Sequence, residues 1–190
     1  MSRIDDALRS RRPIYQLADP IVRLHHVVTR RDLARFEERR TREAWADAQP
    51  RFATHVLGPH FETIAREFTL RFATDETTGG RPATVAPAVL NDAAARTQHQ
   101  LDVVARGRDR SGAETVLALG EAKHTKTKRT IADLRRLERI RELVAVRHTS
   151  ARAAGLLLFS ASGFDRNLNA EAHARGDVEL IDLERMYTGD

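Results

Sequence analysis

Three charged residues lie in two neighbouring apolar segments of the chain. Asp102 lies in the first segment, residues 99–106, and Glu121 and Lys123 end the second, residues 115–123. Side chains alternate between the two faces of a strand, so Glu121 and Lys123 point the same way, and Asp102 on a paired strand can join them. Two converging carboxylates repel each other unless a cation lies between them, and hard oxygen ligands suit Mg²⁺ or Mn²⁺. The pattern predicts a divalent-metal site.

The ammonium group of Lys123 would complete the chemistry of this site. Beside a metal ion it can stabilise a hydroxide nucleophile, or the negative charge that grows on a phosphate under attack. This set of residues is typical of a metal-dependent nuclease. A second interpretation is a solvated Glu–Lys pair on an edge strand, since 31% of the residues are charged. The first interpretation is favoured by Ala118, Leu119 and Gly120, which lead directly into Glu121, so that this carboxylate follows a buried-type run.

The elements around these residues follow from turn signals and apolar spacing. Residues 107–112 are rich in glycine and charge, so the two segments are predicted to form a β-hairpin. A strand over residues 84–90 is predicted to precede them, with Pro87 indicating an edge or a bulge. Further predicted elements are a helix over residues 130–148, a central strand over 155–160, a short helix over 165–174 and a final strand over 178–182.

A helix is predicted after Gly58-Pro59, because proline is well tolerated in a first turn. Phe61, Ile64, Ala65 and Phe68 then form an apolar stripe that should pack on a sheet.

Glu62 lies beside that stripe. It either pairs with Arg66 at the surface, four residues along the helix, or supplies another carboxylate at the edge of the metal site.

The first quarter of the chain has the pattern of a connector followed by helices. Residues 1–30 form the predicted connector, in which Asp19-Pro20 starts a new element. Residues 31–48 are predicted to form one charged helix anchored by Leu33, Phe36 and Trp45.

A basic segment follows the second apolar strand. Residues 122–136 contain six lysines and arginines and only one acidic residue, Asp133. The candidates for binding a phosphate backbone are Lys126, Lys128 and Arg129. A basic helix face exposed to water is the other interpretation of this segment. Aromatic residues make up only 5% of the chain and do not alternate with the basic ones, so duplex or structured DNA is a better candidate than stacked single strands.

Composition excludes several classes of protein. A chain of 190 residues can bury a core as one domain, and its lack of cysteine excludes disulfides and zinc ribbons and agrees with a reducing cytoplasm. No segment has the pattern of a secretion signal, and the longest apolar run, residues 153–159, is too short to cross a membrane. There is no Gly-Lys dipeptide, so no ATP site of the P-loop type is expected.

The order helix, three strands, helix, strand, with Asp102 and Glu121-Ala122-Lys123 on the second and third strands, resembles the PD-(D/E)xK nuclease superfamily. More narrowly, the chain resembles the domain of unknown function at the C-terminus of certain archaeal and bacterial AAA-type ATPases. The matching residues are Tyr15, Leu17, Asp19 and Pro20, then Gly58, Phe61 and Glu62, then residues 101–105 and 119–123.

This resemblance implies an α/β fold with a restriction-endonuclease-like core, a mixed β-sheet flanked by helices, and an N-terminal helical extension. Residues 1–30 would resemble the end of a winged helix, and residues 31–190 would form the nuclease-like domain. The implied metal ligands are Asp102, Glu121 and the carbonyl of Ala122, with Lys123 and Glu62 completing the catalytic set.

Two functions are expected from these observations. The first is hydrolysis of a phosphodiester in DNA, dependent on Mg²⁺ or Mn²⁺, with an ATPase module acting in cis or in trans. The second is a catalytically silent module of the same fold that binds DNA or regulates a partner ATPase. A transcription regulator built around a winged helix is a weaker third candidate.

Overall fold

A computed structural model describes residues 2–4, 14–17, 19–92, 95–108 and 111–189. The helices are α1 (Pro20–Leu24), α2 (Leu33–Glu37), α3 (Thr41–Phe52), α4 (Gly58–Arg71), α5 (Asp75–Thr78), α6 (Ile131–Ala145), α7 (Arg166–His173) and α8 (Leu183–Thr188). The strands are β1 (Ser2–Ile4), β2 (Ile14–Gln16), β3 (Pro82–Asp92), β4 (Thr97–Arg108), β5 (Glu114–Lys123), β6 (Gly155–Ser160) and β7 (Val178–Asp182). Short π-helical turns follow α1 and α3, and a 3₁₀ turn precedes β6.

Five strands form one mixed sheet in the order β3-β4-β5-β6-β7. The pairs β3–β4 and β4–β5 are antiparallel, whereas β5–β6 and β6–β7 are parallel. A parallel neighbour requires a crossover connection, and α6 and α7 lie in these two connections. The expected α/β class is confirmed: a mixed sheet is flanked by helices and preceded by a helical region.

The sheet is covered on both faces, and each face has its own apolar core. On one face, residues such as Leu119 and Leu158 pack with Leu137 of α6 and Leu168 of α7. The second core contains Phe68 of α4 together with other residues of β4, β5 and β6. Because β5 and β6 lie inside this three-layer arrangement, Glu121 near the end of β5 is held in a largely dry environment.

The hairpin predicted from the two apolar segments is confirmed as β4 and β5. The first strand of the sheet is also confirmed, and it is longer than predicted because it extends to Asp92. A register shift between Ala86 and Ala88 places Pro87 at a bulge of this edge strand. The predicted helix over residues 130–148, and the elements over 155–160, 165–174 and 178–182, correspond to α6, β6, α7 and β7.

The helix predicted over residues 31–48 is wrong as a single element. It is divided into α2 and α3, and Arg39 between them has a φ of 63°, in the left-handed region that a helix cannot continue through. Leu33 and Trp45 are also wrong as buried anchors, since they are 47% and 39% exposed.

The residues that pack in this region are small. Ala44 and Ala48 are fully buried in α3, whereas the larger Trp45 is not. In α4, Ile64 is likewise wrong as a member of the apolar stripe, because it is 37% exposed, whereas Phe61, Ala65 and Phe68 are buried as predicted.

The connector predicted over residues 1–30 contains a small two-stranded antiparallel sheet, β1–β2, and then α1. Residues 5–13 of this connector lie outside the described residues. Asp19 caps α1 by accepting a hydrogen bond of 2.7 Å from the Ile21 N–H, and Pro20 occupies the first turn, so the predicted start of an element at Asp19-Pro20 is confirmed. The helices α5 and α8 were not predicted.

Candidate active site

The site lies where β4 and β5 separate. Their ladder runs to the pair Val103–Gly120, while β5 continues beside β6 to the pair Lys123–Ser160. Beyond Val103 the side chain of Asp102 replaces the missing ladder contact, because its Oδ2 accepts a hydrogen bond of 2.9 Å from the Ala122 N–H. Asp102 is therefore fixed against the strand that carries Glu121.

Asp102 is a half-buried carboxylate in a crowded electrostatic setting. Burial raises its pKa most strongly, the Ala122 N–H lowers it, and the negative charge of Glu121 raises it again; the net shift is upward. Arg66 of α4 donates a hydrogen bond of 3.0 Å to the Asp102 carbonyl, which ties the helix to this end of β4. The structure thus brings Asp102 and Glu121 together, as the sequence predicted.

Glu62 of α4 belongs to the same group of acids. Burial and then the charge of Asp102 raise its pKa to about 7, while Arg66 and Arg23 oppose the shift. Arg66 itself donates hydrogen bonds to the Asp102 carbonyl and to Thr63. The simple surface pair of Glu62 with Arg66 is therefore the poorer description, and Glu62 lies within electrostatic reach of Asp102.

Glu121 is 3% exposed and faces two arginines. Its Oε2 accepts a hydrogen bond of 3.1 Å from Nη2 of Arg129, which is 1% exposed. Nη2 of Arg136 lies 3.4 Å from the other oxygen, Oε1, and forms an ion pair with it. Oε1 is buried without a hydrogen-bond partner, so a hydrogen bond fixes one oxygen of this carboxylate, whereas only the ion pair with Arg136 holds the other.

Lys123 is directed toward α6. Its Nζ donates a hydrogen bond of 2.8 Å to Oδ1 of Asp133, and its side chain is 39% exposed. Burial opposes ionisation of Asp133, but hydrogen bonds from Lys123 and from the Thr130 N–H outweigh it and lower the Asp133 pKa. Lys123 is therefore held by a carboxylate that the sequence interpretation did not assign to the site.

The prediction that Arg129 binds a phosphate backbone is wrong for this structure. Its guanidinium is buried, with Nη2 on Glu121 and Nε 3.4 Å from Asp133, because an uncompensated Glu121 could not be buried at this position. Lys126 and Lys128 lie in the exposed segment between β5 and α6. Both side chains are exposed, and their binding to a phosphate backbone stays a prediction.

The donors present suit a hard divalent cation. Glu62, Asp102 and Glu121 supply carboxylate oxygens in one neighbourhood, and Oε1 of Glu121 is a buried acceptor without a hydrogen bond. As the side chains stand, however, no group of three or more His, Cys, Asp or Glu residues in the described part of the chain is arranged to hold a metal ion. A cation would have to draw these oxygens closer together and compete with Arg136.

Three positioning residues were missed from the sequence: Asp133, Arg136 and, as a buried pair partner, Arg129. A signal for two of them was present. Thr130 and Asp133 have the spacing of a capping box, which forms at the start of α6, and Arg129 and Asp133 have the four-residue spacing of an ion pair. The contact of Arg136 with Glu121 joins a helix to a strand, so local spacing could not indicate it.

Comparison with family models, with curated proteins and with solved structures gives no match for this chain. Within the residues described, no helix has the length and apolar character needed to cross a bilayer.

Proposed function

We propose that this chain is a divalent-cation-dependent hydrolase of phosphodiesters in nucleic acid. The observation that supports it is a series of coupled carboxylates at the point where β4 leaves β5. The charge of Glu121 raises the pKa of Asp102, and the charge of Asp102 raises that of Glu62. A bound cation would stabilise carboxylates that lie this close together, and acids with raised pKa values are often found at functional sites. We also propose that the mixed sheet and its helices form a restriction-endonuclease-like core, as the resemblance implies.

Asp102, Oε1 of Glu121 and the carbonyl of Ala122 would hold Mg²⁺ or Mn²⁺, with Glu62 at the edge of the site. When bound, such an ion polarises a phosphoryl oxygen and lowers the pKa of water. Glu62, with a pKa of about 7, can hold or release a proton near neutral pH. The ammonium group of Lys123, which donates a hydrogen bond to Asp133, would favour a phosphate under attack.

Nucleic acid would be held by the exposed segment that follows β5. Lys126 and Lys128 supply sequence-independent affinity for phosphates, and duplex or structured DNA is the proposed substrate. We also propose a cytoplasmic location, which agrees with a chain without cysteine, and an ATPase module as a partner in cis or in trans. No ATP site is proposed in this chain.

A second candidate is a catalytically silent module of the same fold that binds DNA or regulates an ATPase. One observation favours it. Arg129, Arg136 and Lys123 already provide three cations against Glu121 and Asp133, so this half of the site is compensated without a metal ion.

Calorimetric titration with Mn²⁺ distinguishes the two candidates. The first predicts a binding isotherm for the wild-type chain that is lost in Glu121→Gln, a variant that keeps the shape of the side chain beside Arg129. The matched control is Glu142→Gln, which removes one exposed carboxylate from α6 and should leave the isotherm unchanged. Absence of Mn²⁺ binding by the wild-type chain would favour the silent module.

A further inference from the structure

Two arginines contact the two oxygens of Glu121, and they differ sharply in exposure. Arg129 is 1% exposed and hydrogen-bonds Oε2, whereas the Arg136 side chain is 46% exposed and lies 3.4 Å from Oε1 without a hydrogen bond. A buried guanidinium in a hydrogen-bonded pair is costly to move. A solvent-exposed one on a helix surface is held by little more than the charge it faces, and such ion pairs are weak.

We propose that Arg136 is a displaceable cation that occupies the position beside Glu121 Oε1 in the ligand-free protein. A divalent ion takes that position, and the released guanidinium then binds a phosphate of the nucleic acid. Arg129 is the positioning residue that remains, holding Oε2 so that Oε1 is aimed at the site. This inference rests on the proposed function. It states that binding of the cation releases Arg136 and that the released Arg136 then binds the substrate.

The location of Arg136 supports both ends of this exchange. It lies in the second turn of α6, and the exposed segment that carries Lys126 and Lys128 leads into the start of the same helix. A guanidinium that leaves Glu121 therefore stays near the proposed phosphate-binding residues. A guanidinium group can bind two phosphate oxygens through parallel N–H donors, so an arginine suits this phosphate-binding role better than a lysine.

The neighbouring Arg135 provides a matched control. It is similarly exposed, but its guanidinium pairs with Glu138, 3.0 Å away, and with Glu171 of α7. Arg135→Gln removes the same formal charge from the same turn without touching Glu121. A difference between Arg136→Gln and Arg135→Gln is therefore specific to the contact with Oε1.

The first experiment is a calorimetric titration of the metal-free protein with Mn²⁺ alone. Removing a positive charge within about 4–6 Å of a cation site should tighten Mn²⁺ binding on the order of tenfold in Arg136→Gln. Arg135→Gln should change it less than about twofold. Equal affinity of Arg136→Gln and wild type, or an equal gain in Arg135→Gln, would overturn the exchange while leaving the proposed function intact.

Absence of Mn²⁺ binding in both the wild type and Arg136→Gln would overturn the exchange together with the metal-dependent function.

The second experiment tests whether the released Arg136 binds phosphate. It measures affinity for a non-cleavable phosphorothioate duplex, with EDTA or with Mn²⁺. Arg136 is paired with Glu121 in the metal-free protein and is released only when metal binds. The loss of duplex affinity in Arg136→Gln should therefore be at least threefold larger in Mn²⁺ than in EDTA. Equal losses under both conditions would contradict the release of Arg136. Circular dichroism melting of each variant checks that this exposed substitution leaves the fold intact.

Discussion

Nη2 of Arg129 lies 3.1 Å from Oε2 of Glu121, and neither side chain is more than 4% exposed. This pair joins the start of α6 to the end of β5, at the centre of the sheet. Arg129 is also fixed through its backbone, since its N–H donates to the Gly163 carbonyl at 3.0 Å and its carbonyl accepts from the Asp165 N–H at 2.9 Å. The segment before α6 is thereby anchored at both its side chain and its main chain.

Removing the Arg129 guanidinium should destabilise the protein strongly. Arg129→Met leaves the charge of Glu121 buried with only the exposed Arg136 to compensate it, so we expect the free energy of unfolding to fall by about 3–5 kcal/mol. Urea unfolding monitored by circular dichroism measures this. The double variant Arg129→Met, Glu121→Met should recover at least half of the loss. A single variant within about 1 kcal/mol of wild type would show that the pair is not the anchor described.

Glu62 should make the protein less stable as the pH rises toward neutrality. Its pKa is about 7 in the folded protein against 4.5 ordinarily, so the folded state binds more protons than the unfolded state between these values. The contribution of protonated Glu62 to the free energy of unfolding is complete below about pH 4.5 and is lost as the pH rises through about 7. Since Glu62 is only partly buried, we expect a change on the order of 1–2 kcal/mol after solvent screening.

The check for Glu62 is urea unfolding of wild type and Glu62→Gln at several pH values between 4.5 and 8. The difference in stability between the two proteins should grow in favour of the variant over this interval. A constant difference would show that Glu62 titrates with an ordinary pKa.

Gly120 should be intolerant of a side chain. A Cβ at this position would lie 3.0 Å from the Leu157 carbonyl oxygen and 3.1 Å from Cβ atoms of Leu157 and Val103, so β4 or β6 would have to move. Overpacking of this kind costs about 1–3 kcal/mol, which thermal melting of Gly120→Ala should detect as a lower Tm. Gly176→Ala is the control, because a Cβ there meets nothing within 4 Å. Equal melting of both variants would contradict the close packing around Gly120.

The elements of the sheet could be predicted because their signals are local. The apolar runs of β5 and β6 and the helical stripe of α6 each lie within one segment. Even the convergence of Asp102 with Glu121 followed from the hairpin, since two strands joined by a short turn must pair.

The burial and the partners of the other residues depended on contacts between elements, which no local sequence pattern records. The burial of Arg129 follows from its contact with Glu121 on another element, so it looked like one more surface cation of a basic segment. Leu33 and Trp45 looked like anchors because they are large, but α3 packs through Ala44 and Ala48. Lys123 looked free for catalysis because its partner, Asp133, lies on the following helix.

DNA cleavage tests the proposed activity most directly. Supercoiled plasmid and branched duplex are incubated with the wild-type chain in Mn²⁺ or in EDTA, and with Asp102→Asn, Glu121→Gln and the control Glu142→Gln. We expect nicking in Mn²⁺ alone, a loss of about 100-fold or more in the two site variants, and full activity in the control. No Mn²⁺-dependent cleavage by the folded wild-type protein, or cleavage that survives the combined Asp102→Asn, Glu121→Gln change, would contradict the assignment of this carboxylate site to phosphodiester hydrolysis.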